Sequence, residues 1–260
     1  MNRTSLTCLL MALLCNGCTH FEGALKAVGL ESTPPTEAET MTEALKGQTF
    51  ELRHSHFYGE LYDENEFMLL APYPFRDVFH LVDLEGQPIH PQNQRGVIPA
   101  GTRVRFRDLL TVNDWSAMNR MLTSPRYHTW LVVELVDTYD LLPSEQQPFV
   151  ILLSAELDDA KVRKAAIERW LSPAGETTKW LSSLSPRAQK AIQMKAPFPG
   201  MHQDELIAAM GPPQMWIAEQ GQRGQRMVAW YPHAEAWVSD TLVVSLHQQR
   251  PNPQAKRLAR

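Results

Sequence analysis

The sequence predicts an α+β fold in two parts: an N-terminal β-barrel-like domain over residues 47–154, then a small domain of helices on an antiparallel sheet over residues 155–250. Three observations predict it. Arg103-Val104-Arg105-Phe106-Arg107 alternates charged and apolar residues with the period of two that a half-buried strand requires. The runs Trp130–Val136 and Phe149–Leu153 are apolar on both faces and of strand length, so they read as central strands. After Ser154 the period changes. Leu157, Val162, Ala165, Ala166, Ile167 and Trp170 then fall on one helical stripe between Glu156 and Trp170, with Asp158 and Asp159 at its positive end.

Taken in order, Arg3 and the apolar run Leu6–Leu14 lead through Cys15-Asn16-Gly17 to Cys18, the pattern of an export signal over residues 1–17. The run is short of the roughly 20 apolar residues that span a bilayer. Residues 18–46 hold Pro34, Pro35 and several acids and hydroxyls with few large apolar groups, and are expected to form a flexible tether. Strands are expected at Thr49–His54, Glu66–Leu70 and Val78–Val82, with turns at Glu85-Gly86 and Pro99–Thr102. Ser185 before Pro186 marks a helix start, and Pro197 and Pro199 stop that helix. Gly200 opens a further helix that Gly211 closes with a left-handed cap before Pro212-Pro213. Its apolar patch is Leu206, Ile207 and Met210, with Met201 plugging the start. Three strands follow, Met227–Tyr231, Glu235–Ser239 and Thr241–His247, and residues 251–260 are expected to be a disordered tail.

Composition narrows the function. Removing the leader moves the formal net charge from −4 to about −5, which argues against nucleic acid as a partner. A cut after Gly17 leaves Cys18 as the sole cysteine, so no disulfide forms within one mature chain.

Candidate chemistry is sparse. His54 and His56 share a strand face and could meet one metal, but no third ligand is spaced to join them, and exposed strand histidines are the favoured reading. Asp63-Glu-Asn-Glu66 lacks the glycine and the bidentate glutamate of a calcium loop and reads as a solvated turn. No nucleophile elbow, zinc-protease pair or phosphate loop is present, and Gly221 and Gly224 read as a hairpin loop. Arg103, Arg105 and Arg107 line one strand face and are the candidate anion- or partner-binding row, against the plainer reading of arginines paired with neighbouring carboxylates. Trp216, Trp230, Tyr231 and Trp237 read as a binding platform or as core; Trp230 and Trp237 fall in expected strands, so at least one should pack in the core, whereas Trp216 should stay partly exposed. No catalytic residue, cofactor or metal is expected.

Cys18 after small residues resembles the lipobox of bacterial lipoproteins, in which the thiol receives a diacylglyceryl group; Cys15 stands where that family prefers leucine. The resemblance implies a lipid-anchored envelope protein, with Thr19 pointing to the outer membrane and the periplasm. Ordinary secretion after Gly17 is the competing reading. The strand at Phe50–Leu52, the Gly86 turn and the Pro99–Thr102 turn give residues 47–110 a resemblance to Src-homology-3-type barrels. Gly200, Met201, Leu206, Gly211, Pro212, Trp230 and Tyr231 give residues 186–248 a resemblance to the BamE/SmpA-type outer-membrane lipoproteins. That family packs two short helices on a three-stranded sheet and serves assembly. These likenesses imply a non-enzymatic role through contacts with other envelope proteins, or, as the alternative, binding of peptidoglycan or polysaccharide.

Overall fold

Val104 and Phe106 have no exposed surface while Arg103, Arg105 and Arg107 face outward, so the alternation in Arg103–Leu110 does set that strand's two faces. The computed structural model describes residues 35–112, 120, 123–136, 147–154, 157–221 and 224–248. The first strands are β1 (Thr49–Leu52), β2 (His56–Leu61), β3 (Glu64–Ala71), β4 (Leu81–Val82), β5 (Pro88–Ile89), β6 (Gln94–Ile98), β7 (Arg103–Leu110), β8 (Thr129–Leu135), β9 (Phe149–Leu153) and β10 (Leu171–Pro173). Eight of them form one sheet in the order β10-β1-β7-β8-β9-β3-β2-β6. Every pairing is antiparallel except β3 with β9. β8 and β9 lie at its centre and are buried on both faces, as their apolar runs require. One face packs Leu52, Phe106, Leu131 and Ile151 against Leu157 and Ile167. The other holds Leu69, Trp130, Val132 and Val150.

The sheet is not closed: among the described residues no pairing joins β10 to β6. β10 occupies the free edge of β1 instead. The fold is therefore mixed α+β with one large sheet, and the division expected at 154/155 shifts. Residues 157–173 belong with the first sheet, because Leu157, Ile167 and Leu171 fill its core.

The expected tether is also shorter. Glu37–Leu45 is a helix, α1, with Ala38 and Thr42 buried and Met41 and Leu45 against the sheet. Its apolar groups are few but spaced for one face. Arg163 of α2 (Ala160–Glu168) fastens it, donating from Nη1 to Thr42 Oγ1 at 3.0 Å and from Nε to Leu157 O at 2.9 Å. Asp159 caps α2 rather than lying within it, and Val162, expected on the apolar stripe, is half exposed.

Three helices follow. α3 (Glu176–Ser183) carries no strong sequence signal and begins after Gly175. α4 (Pro186–Gln193) is capped by Ser185 Oγ, which accepts from Ala188 N, and it ends before Pro197 is reached. α5 (Gln203–Met210) starts three residues after Gly200, where Glu205 Oε2 accepts from His202 N at 2.9 Å. Met201 is fully buried beneath it. Gly211 takes φ +86°, ψ 175°, a positive-φ exit that is extended, not the left-handed helical cap.

The second sheet is an antiparallel meander of four strands, not three: β11 (Met215–Gly221), β12 (Gly224–Trp230), β13 (Ala234–Ser239) and β14 (Leu242–Gln248). Its register puts Trp216, Ala229, Ala236 and Leu246 in one row, and these pack with Ile192, Met201, Leu206 and Tyr231. Trp230 and Trp237 lie in the rows of the opposite face, so neither joins the core; Ala229, Tyr231 and Ala236 do.

Gly211 generates a test. A methyl group there would require a positive φ and would strike Pro72, whereas at Gly175, φ +88°, it would meet open space. Gly211→Ala is expected to cost about 1–3 kcal/mol in urea unfolding and Gly175→Ala less, since it carries the backbone strain without the clash.

Candidate functional site

The link from β1 to β2 passes under α4 and α5, and its polar groups are tied down there. Ser55, fully buried, donates its N–H to Ala208 O at 2.9 Å and its hydroxyl to Ile192 O at 2.7 Å. The same hydroxyl accepts from Ala100 N at 2.9 Å. Lys195, in the left-handed region at φ +52°, reaches the same spot: its Nζ donates to Ser55 O and to Ala209 O, both at 2.7 Å. Among the described residues no carboxylate pairs with it, and burial pulls its pKa down to about 7. Its ammonium also lies 5.1 Å from the Phe57 ring centroid.

His54 and His56 flank this serine and are buried, not exposed as expected. The reason is tertiary. Both are covered by Trp170, whose ring stands 5.7 Å from His54 and 5.6 Å from His56. His56 Nδ1 contacts His54 O at 2.8 Å, while His54 Nδ1 and His56 Nε2 have no hydrogen-bond partner among the described residues. Desolvation, then the charges of Lys195 and Arg53, lowers His54 to about 3; desolvation and His54 hold His56 well below its usual range.

This chemistry is limited. A histidine that stays neutral to such acidity is too weak a base for proton abstraction near neutral pH. Two imidazoles alone do not make a metal site, and among the described residues no group of three or more His, Cys, Asp or Glu is placed to hold a metal. A polar pocket of about 330 Å³ opens beside His54, bounded by Arg53, Glu176, Trp180 and Asp204. Arg53 and Glu176 pair at 3.3 Å across it.

The arginine row sits on an exposed face among acids. Arg107 Nη1 pairs with Glu134 Oε1 at 2.6 Å, and Arg105 lies opposite Glu134 in register. Arg103 lies opposite Glu51, whose buried carboxylate accepts from Thr178 N at 2.9 Å at the start of α3. The row is thus a charged strand face with carboxylates interleaved. Asp63 is exposed in the turn before β3, whereas Glu64 and Glu66, expected in the same turn, belong to β3, where Glu66 is exposed. Cys18, the expected leader 1–17 and the expected tail 251–260 lie outside the described residues.

Sequence reasoning missed the Ser55–Lys195 joint, because its members stand 140 positions apart and no local pattern links them. Comparison of the chain with family models, curated proteins and solved structures finds no match in any of the three.

The buried histidines set a pH dependence. His54 and His80 are held down to about 3, and His56, His128 and His233 are also lowered, all first by desolvation. Between about pH 3 and 6.5 the unfolded chain therefore binds more protons than the folded one, and stability falls as pH falls. Lys195 acts likewise between about 7 and 10.5, so stability rises with pH there. Urea midpoints measured from pH 7 to 4.5 should decrease, and His54→Gln should flatten the slope by up to about 1.4 kcal/mol per pH unit. A flat wild-type profile would contradict the burial of these rings.

Proposed function

We propose that this chain is a bacterial envelope lipoprotein, anchored through Cys18 and acting without catalysis through contacts with other envelope proteins. The observation that carries the reading is the N-terminal order of Arg3, Leu6–Leu14, small residues and Cys18. Its location is then the outer membrane, facing the periplasm. The likeness of residues 186–248 to BamE/SmpA-type lipoproteins supports an assembly role, and α4 and α5 on an antiparallel sheet are in keeping with it. The Src-homology-3-type likeness belongs to the same reading and draws on β1 beside β7 after the Pro99–Thr102 turn. A surface suited to a partner is the outer face of the second sheet, where Met215, Ile217, Leu242 and Val244 are 38–50% exposed beside Trp230 and Trp237. Among the described residues no helix is long and apolar enough to cross a membrane.

Expressed with its leader in a Gram-negative host, Cys18→Ser is expected to move from the membrane pellet to the soluble fraction. Unchanged sedimentation would overturn the anchor.

A second reading, binding of cell-wall polysaccharide, is favoured by the pocket of Arg53, Glu176, Trp180 and Asp204, because an indole beside charged side chains suits a sugar ring. On this reading the purified protein sediments with isolated sacculi at low salt and Trp180→Ala reduces the bound fraction several-fold. No retention eliminates it.

A further inference from the structure

We infer that the cleft between the first sheet and the Pro212–Gln214 segment is a binding site for a small amphiphile with an apolar chain and one anionic head. The cleft encloses about 500 Å³, within the range of small-molecule sites. Its walls are apolar and reachable: Phe79 is 57% exposed, Leu152 and Trp170 are half-buried, and Pro213 closes one side. Such groups hold a hydrocarbon chain by removing it from water.

The head group follows from which charged groups already face a partner. Tyr73 hydroxyl donates to Pro212 O at 2.5 Å. Asp77 carboxylate faces the Arg76 charge at 3.6 Å and His233 at 4.0 Å, although its Oδ2 makes no hydrogen bond among the described residues. His80 ring meets the His128 ring edge to face with centroids 4.7 Å apart. Arg169 is different. It is exposed on the cleft lining and makes no ion pair among the described residues. Its place at the C-terminus of α2 suits the helix dipole but leaves the guanidinium fork available to a carboxylate or phosphate. The charge lining this cleft that still lacks a partner is therefore positive, and an anionic head meets it while the chain lies along Trp170 and Phe79. Nothing in this inference requires the lipid anchor.

Decanoate is the probe, titrated calorimetrically into the purified full-length chain, with decanol as the neutral match. Saturable one-to-one binding of decanoate, about tenfold tighter than decanol, is expected. Arg169→Gln should weaken decanoate about tenfold and leave decanol unchanged, whereas Phe79→Ala should weaken both several-fold. Both positions are exposed, so both variants should fold, which circular dichroism verifies. Decyl phosphate in a parallel titration separates a phosphate from a carboxylate head, and tighter binding of either supports the site. Absence of saturable decanoate binding, equal affinity for decanol, or indifference to Arg169→Gln would overturn it.

Discussion

A buried lysine amino group held by two carbonyl oxygens is the constraint on which the arrangement of this protein depends. Lys195 ties Ser55 of the β1–β2 link to Ala209 of α5, and Ser55 itself bonds to α4, to α5 and to Ala100. A cation in such a place is costly to desolvate, so each donor it aims at a carbonyl matters more than it would at the surface. The polar joint fixes where the second core meets the first. It also keeps His54 and His56 buried beneath Trp170, and desolvation there holds both rings neutral.

Much of the secondary structure was legible from local pattern. The alternation of β7, the apolar runs of β8 and β9 and the Ser185-Pro186 start of α4 all state their own geometry within a few residues. What stayed hidden depends on distant partners. β10 is three residues long and becomes a strand because β1 offers an edge more than a hundred positions earlier. α1 reads as acidic and poor in large apolar groups, yet Ala38 and Thr42 suffice once Arg163 supplies a buried donor. β11 follows two prolines and was masked by its mixed composition; pairing with β12 along its whole length defines it.

The histidines show the same limit from the side of chemistry. Their two-residue spacing suggests a shared strand face, but His54 lies in the link before β2 and only His56 is in a strand. Burial comes from Trp170 and the helices above, which spacing does not encode. The arginine row, by contrast, is outward-facing as its alternation implies, and the structure identifies the neighbouring carboxylates as Glu134 and Glu51.

The placement of β1 bears on how the chain is made. It lies between β7 and β10, so one of its two bonding edges is completed by a segment that ends at Pro173. During synthesis from the N-terminus, that edge stands open until two-thirds of the polypeptide has emerged. An unpaired edge invites foreign strands, and a polypeptide halted near residue 154 would present it permanently. Fragments cut at that point should accordingly be sticky, and a carrier that shields nascent chains would find its task concentrated on these four residues.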